Sequence, residues 1–332
     1  MLKRFLIFII LGLYCTVGTL AIGETIAKRQ PPTPADEGKT CLTAVIVVIG
    51  DVSFRFRWCP PGTFMMGSSP SEAGRQPKIY PDAEAAFAAA AFEDSAAALL
   101  AAPKDINNYC TDDEMQHRVT LTKGFWMLET EVTQEQWRAV MGSYPPDVPG
   151  QPEGNPLALP EDLPVSNVSW VDCQTFCKKC TDLGLPIQLP TEAQWEYACR
   201  AGTTGPFAGD LDEMAWYRKN SNETTHPVGM KSPNAWGLYD MYGNVNEWCA
   251  DRFGTYSWNS VTDPTGPDSD QRCILRGGHA FNDALECRSA SRNAYRYDSY
   301  DLLGFSGFRV ILSPDCVGIK PFGSQGEGQT TD

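Results

Sequence analysis

Five side chains able to do chemistry follow one Gly-Gly pair in the stretch Arg276-Gly277-Gly278-His279-Ala280-Phe281-Asn282-Asp283-Ala284-Leu285-Glu286-Cys287. His279, with Asp283 and Glu286 close by in sequence, has the donor types to ligate a metal or hold a ligand, although a lone histidine more often serves as a hydrogen-bonded structural residue. A second stretch, Asp240-Met241-Tyr242-Gly243-Asn244-Val245-Asn246-Glu247, sets two carboxylates either side of a Gly-Asn turn. Calcium takes six to eight hard oxygens, and such a turn can aim successive main-chain carbonyls at one point. The plainer alternative makes Asp240 and Glu247 helix-cap or surface carboxylates. Cys173, Cys177 and Cys180 form a third group, with a C-x-x-C one helical turn after the first thiol. No second C-x-x-C or histidine pair follows, so disulfides are favoured over zinc. No G-x-S-x-G stands where a Ser-His-Asp hydrolase would need its nucleophile.

The chain has 332 residues, 41 acidic against 27 basic, for a net charge of −14. That balance argues against nucleic acid or an anionic membrane surface as partner and suits calcium or a cationic ligand. Lys3 and Arg4 precede an apolar run from Phe5 to Gly18, and Thr19-Leu20-Ala21 offers small residues for cleavage. Residues 1–23 therefore read as an export signal, with a retained membrane anchor as the competing reading. A membrane partner is expected only if that segment is retained. The protein is expected to be secreted, periplasmic or at the cell surface, where twelve cysteines favour disulfides. Removal of Cys15 with the signal leaves an odd number, so at least one thiol is free or intermolecular.

The elements that must position these groups are marked by turn and cap residues. Residues 24–43, with Pro31, Pro32 and Pro34, read as a linker, and 44–313 as one domain. Ala44 to Trp58 is strand-like, and a second strand pair is expected at His117–Leu121 and Phe125–Glu129. Three helices carry start and stop signals: Thr133 with Gln136 through Gly142, Ser169 through Gly184, and Thr191 with Gln194 through Gly202. Beyond Gly202 periodicity fades, predicting turns and short strands. The span 68–115 reads as an insert, with an alanine-rich helix over 83–102. Residues 314–332 read as a flexible tail. Trp248, Tyr256, Trp258, Tyr295, Tyr297 and Tyr300 serve either as core filler or as a sugar- or peptide-binding surface.

Several blocks together resemble the sulfatase-modifying-factor family, whose best-known member is the formylglycine-generating enzyme. They are Pro60 to Gly67, His117 to Gln136, Leu163 to Cys177, Leu189 to Thr203, Asn234 to Trp248 and Leu275 to Arg309. The resemblance implies an α+β, mixed, loop-rich fold with little regular secondary structure, a variant of the C-type lectin fold. It implies a structural calcium held by Asp240, the carbonyls of Met241, Gly243 and Val245, and Glu247. A second family calcium site would fall near Ala215 to Glu223, where Ala215 replaces a liganding asparagine, and it is not assigned. The family's enzyme holds copper(I) on two loop cysteines and oxidises a cysteine within a Cys-x-Pro-x-Arg substrate motif. Here Asn282 takes the first cysteine's place, and an amide cannot replace a thiolate on copper(I).

Cys287 either takes the second place or, with a shorter loop, matches a structural cysteine that bonds Cys199. The Cys199–Cys287 disulfide is the preferred implication, and under both alignments the copper pair is lost. Cys177 matches one half of another family disulfide whose partner position is Val310, leaving Cys316 or another cysteine to pair with it. Related sulfoxide synthases bind nonheme iron through three histidines, and this chain has only His117, His226 and His279. The expected protein is thus an exported, calcium-stabilised binding module for a peptide, a glycan or a partner protein, with copper and iron not expected. The alternatives are a cysteine oxidase of the family type and a nonheme-iron enzyme using His279.

Overall fold

The structure is a computed structural model and describes residues 44–69, 71–72, 113–143, 145, 160–298 and 304–313, together with two short strand pairs. Those pairs are β1 (Ile7–Phe8) with β2 (Thr19–Leu20) and β6 (Lys78–Ile79) with β7 (Cys110–Thr111). The export signal, linker, alanine-rich helix and tail otherwise lie outside the described residues. Among the described residues no helix is long and apolar enough to cross a membrane.

Alternation builds the first sheet. In β3 (Ala44–Ile49) the side chains of Val45, Val47 and Ile49 are buried, and in β4 (Val52–Cys59) those of Phe54 and Phe56. Period-two burial turns both sets to one face, and the hairpin register runs from Ile49↔Val52 to Ala44↔Arg57. β4 pairs with β9 (Phe125–Leu128), β9 with β16 (Ile311–Leu312), and β16 with β10 (Ile187–Gln188). Against this face pack α1 (Gln134–Met141) and α2 (Trp170–Asp182), where Trp137 stacks on Phe176 at 5.7 Å and Phe308 meets Phe176 edge-on at 5.2 Å. The order β10-β16-β9-β4-β3 sets β16, the last strand among the described residues, between β10 and β9 of the first sheet.

The second sheet has the order β14-β13-β11-β15, from β11 (Asn246–Arg252), β13 (Arg272–Arg276), β14 (Arg292–Arg296) and β15 (Ser306–Gly307). Its register Arg276↔Arg292 makes residues 277–291 the long tip of the β13–β14 hairpin. The third sheet is β12 (Val261–Thr262), β8 (His117–Leu121) and β5 (Gly62–Met66). β8 and β9 therefore do not pair with each other: β8 joins β5 while β9 joins β4, because Gly124 brings the connecting turn against Trp58 and Cys59. α3 (Glu192–Arg200) supplies Trp195, Ala198 and Cys199 to the second core, and α4 (Leu211–Met214) is one turn.

All three expected helix starts are capped by the predicted residues, each with a reciprocal capping box that satisfies orphan amides at both ends of the motif. α1 ends on left-handed Gly142, whereas α2 and α3 end one residue before the expected glycines, at Leu183 and Ala201. The region past Gly202 consists of turns and short strands, as its composition predicts. The architecture is mixed α+β and rich in loops.

Candidate functional site

The hairpin tip begins where Gly277 (φ 90°) and Gly278 (φ 70°) leave β13. A Cβ on Gly278 would lie 2.7 Å from Cys287 Sγ, so glycine is what lets the loop close on its own thiol. Asn282 then knots the loop. Its Oδ1 accepts the His279 N–H at 2.9 Å, and its own N–H donates to His279 O at 2.8 Å. The Phe281 N–H donates to His279 Nδ1 at 3.1 Å, which leaves the ring proton on Nε2. The ring stacks on Phe305 at 4.9 Å, and burial, then the nearby Arg218 charge, lower its pKa to about 4. His279 is therefore a neutral, packed imidazole.

Asp283 and Glu286 do not turn toward it. Asp283 pairs with Arg218 at 3.0 Å, and Glu286 Oε2 accepts the Asp283 N–H at 3.0 Å. Cys287 is fully buried, and burial, followed by the Glu286 charge, pushes its thiol far above the ordinary range. A protonated, sealed thiol is neither nucleophile nor metal ligand. The other histidines are held too: His117 Nδ1 lies 3.0 Å from Met115 O, and His226 stacks on Trp216 at 3.8 Å with Nε2 at 2.8 Å from Ser221 O. Among the described residues, no three His, Cys, Asp or Glu side chains converge as a metal-holding group.

The structure leaves Cys199 and Cys287 unbridged, contrary to the expected disulfide. Cys199 faces the Tyr242 and Ser289 hydroxyls and its S–H points to Met241 O at 3.8 Å, whereas Cys287 faces Gly278. The residue that meets Cys199 is thus Ser289, two positions beyond the cysteine assigned to it. Cys173, Cys177 and Cys180 are likewise unbridged, contrary to the disulfides favoured for them, and turn into the first core; burial raises the Cys177 thiol to about 12. Cys316 lies outside the described residues.

The 240–247 turn is buried and strongly charged. Asp240 (φ 53°) accepts the Gly229 N–H on Oδ2 at 2.6 Å, while its buried Oδ1 has no hydrogen-bond partner. Both Glu247 oxygens accept from Arg309 at 2.6 Å, and Oε2 also accepts from Trp195 Nε1 at 2.7 Å. Gly243 must be glycine, since a Cβ there would sit 2.0 Å from Trp216 O. Glu131, which sequence reasoning missed, joins the cluster: its oxygens accept from the Val245 N–H at 3.0 Å and Asn244 Nδ2 at 2.8 Å.

Arg309 binds the Glu247 carboxylate directly, and its charge also reaches the buried carboxyls of Asp240 and Glu131. Burial, then the Asp240 and Glu247 charges, hold the Glu131 carboxyl well above its usual range, and burial raises Asp240 to about 6. An unpartnered hard oxygen beside excess negative charge fits a calcium ion better than it fits a cap. The hairpin tip does not fit copper(I): an amide and one sealed thiol are not a two-thiolate donor set.

Around the site run buried arginine–carboxylate forks whose partners lie far apart along the chain. Arg292 is bidentate to Glu192 at 2.6 and 2.8 Å, and Arg276 reaches Glu196, which also accepts from Arg200 at 2.9 Å. Arg288 binds Glu114 at 2.8 Å and Glu72 at 2.9 Å. The only hint was Glu192 and Glu196 four apart on one helix face. These forks fix the base of the tip to α3 and to the turn at Asp113 and Glu114 that leads into β8.

Comparison with known proteins places this geometry. The model of the sulfatase-modifying factor enzyme 1-like domain matches residues 58–314. A chaperone protein named LppX from Paenibacillus barcinonensis is 30% identical over 253 residues, covering 59% of this chain and 82% of its own. A formylglycine-generating enzyme from Streptomyces coelicolor is 32% identical over 201 residues, 54% of this chain and 59% of the enzyme, so less than two thirds of that enzyme is spanned. Among solved structures, Treponema denticola variable protein 1 superposes with a TM-score of 0.61 at 26% identity, over 81% of this chain and 98% of that one. PvdO from Pseudomonas aeruginosa gives 0.60 at 25% identity, over 78% and 94%. With most of the chain matched and the fold shared, this protein belongs to the sulfatase-modifying factor enzyme 1-like domain family.

Proposed function

We propose that this chain is an exported, calcium-stabilised binding module of its family that lacks the copper-dependent cysteine oxidase activity. The observation that carries this reading is the hairpin tip itself, where Asn282 closes a turn onto His279 and Cys287 is buried. The tip is built as a packed structural element. Its bound partner is a peptide, a glycan or another protein. The likeness to a relative named as a chaperone suits such a role, since most of that protein's length is covered. Calcium, when bound, supplies charge neutralisation and rigidity at the 240–247 turn. It would be held by Asp240, the carbonyls of Met241, Gly243 and Val245, and Glu247, with Glu131 bracing the turn from behind.

Oxygen uptake on a Cys-x-Pro-x-Arg peptide, with and without copper, tests the reading. No oxygen consumption and an unchanged peptide mass are expected. Conversion of the peptide cysteine to formylglycine would overturn it and restore the oxidase alternative.

A further inference from the structure

β5 stands at one end of its sheet, with β8 on one side and no strand on the other among the described residues. Main-chain groups of successive strand residues point to alternate edges. Past the end of β5 those directions are fixed by what the groups bind. The Ser68 N–H turns toward the β8 side, donating to Glu114 O at 2.9 Å. Gly67 turns the other way: its N–H donates to Glu196 Oε1 at 2.8 Å and its carbonyl accepts from Arg200 at 2.9 Å. Two and four residues earlier on that same edge, the N–H and C=O of Met65 and Thr63 therefore point away from β8. These four groups have no partner among the described residues.

The edge opens onto a cleft of about 450 Å³, bounded opposite by the C-terminal end of α3 and the residues just after it. Side chains alternate between the two faces of the strand. Phe64 shares the inner face with its register partner Val119 and meets Tyr197 at 5.1 Å; Tyr197 meets Trp236 edge-on at 4.8 Å. Thr63 and Met65 are exposed on the outer face, which they share with Arg118, the partner of Met65 in β8. Among the described residues no carboxylate lines the cleft, in a protein of net charge −14.

Strand edges are ordinarily blunted by charge, proline or a covering element. Here Pro61 stands before the strand and the bonds of Gly67 close it behind, but Thr63-Phe64-Met65 carries neither charge nor proline. The opening is therefore short, fit for one segment rather than for unlimited sheet growth. Unpaired N–H and C=O groups at strand spacing are matched by the backbone of an extended peptide.

We infer that the β5 edge docks an extended segment of a partner protein, which adds as an antiparallel strand and sets one aromatic side chain, flanked by acidic residues, into the cleft. The inference rests on the binding-module reading and chooses peptide as its ligand. Antiparallel pairing lets Thr63 and Met65 each exchange both main-chain bonds with the residue opposite. Those two partner residues take the outer face, where a carboxylate meets the positive charge of Arg118. The residue between them lies opposite Phe64 and turns inward to Tyr197 and Trp236.

The test titrates the full-length protein with a short end-blocked threonine peptide carrying a central phenylalanine between two glutamates, read by calorimetry and tryptophan fluorescence. One comparator is N-methylated at both glutamates, which keeps every side chain and removes the edge-facing donors; another has alanine for phenylalanine. Saturable binding is expected, at least tenfold weaker for each comparator. Met65→Pro, which removes one edge-facing N–H and leaves the ladder to β8 intact, should bind the peptide at least tenfold more weakly. Should that variant unfold, the N-methylated peptide makes the same test on the wild-type protein. Absence of saturable binding, or undiminished affinity of the N-methylated peptide, overturns the inference. A dimer in sedimentation that dissociates in Met65→Pro gives the edge to a second copy and overturns the peptide partner. Formylglycine formation in the oxygen-uptake experiment removes the module reading itself, whereas failed peptide binding without oxygen uptake removes only this site.

Discussion

At Arg292 the guanidinium makes two bonds to Glu192, one to Asp113 O at 2.7 Å and one to Gly254 O at 3.1 Å, and lies 3.9 Å from the Tyr256 ring centre. Removing it strands the buried Glu192 carboxylate, whose pKa, opposed by burial, is held low by Arg292 and then Arg276. Arg292→Met should cost about 3 kcal/mol in denaturant unfolding, because the buried Glu192 charge loses its bidentate partner and keeps only the looser contact with Arg276 at 3.4 Å. Arg296→Ala, at an exposed pair with Asp298, should move the denaturant midpoint far less than Arg292→Met does. Side-chain identity made Asn282 and Cys287 legible in the sequence, because a missing thiol is visible without a structure. Which thiol faces which hydroxyl was not legible: a displacement of two residues between Cys287 and Ser289 decides it, and loops carry no periodicity that fixes register.

Elements with local rules were the most readable. Thr133, Ser169 and Thr191 cap their helices because a hydroxyl three residues before Gln or Asp satisfies two amides whatever the tertiary context. Strand partners obey no local rule, and β8 and β9 part company over a three-residue link to join separate sheets. The turn at Gly243 shows how an element serves the site, since its φ of 73° and its approach to the Trp216 carbonyl both exclude a side chain. Gly243→Ala should lose more than about 2 kcal/mol, through left-handed strain compounded by the clash. Gly142→Ala is the control: at φ 78° with open space around its Cβ, it should lose only the conformational penalty of about 1–2 kcal/mol. Thermal melts of the two variants separate strain from steric exclusion.

Across the whole molecule, carboxylates buried near one another set the pH response. Asp251, pushed up to about 7 by burial and then by the Glu192 charge, holds its proton more tightly folded than unfolded. Its contribution is therefore complete below the ordinary carboxylate pKa and is lost as pH rises through about 7. Stability should fall between about pH 4 and 7, and Asp251→Asn should flatten that fall while keeping an acceptor for the Glu192 N–H at 2.8 Å. Denaturant midpoints measured across that range check the sign. The family and the α+β class were legible from ordered sequence blocks, whereas the Glu131–Asp240–Glu247 cluster was only half visible, because Glu131 lies more than a hundred residues before the turn it binds. What that cluster and the hairpin tip hold separates a binding module from an oxidase, so the most direct measurement is metal content of protein purified without chelator or added metal. One calcium per chain or more, with copper and iron absent and calcium removal lowering the melting temperature, is the predicted result. One equivalent of copper, lost in Cys287→Ser, would contradict a sealed thiol and with it the binding-module reading.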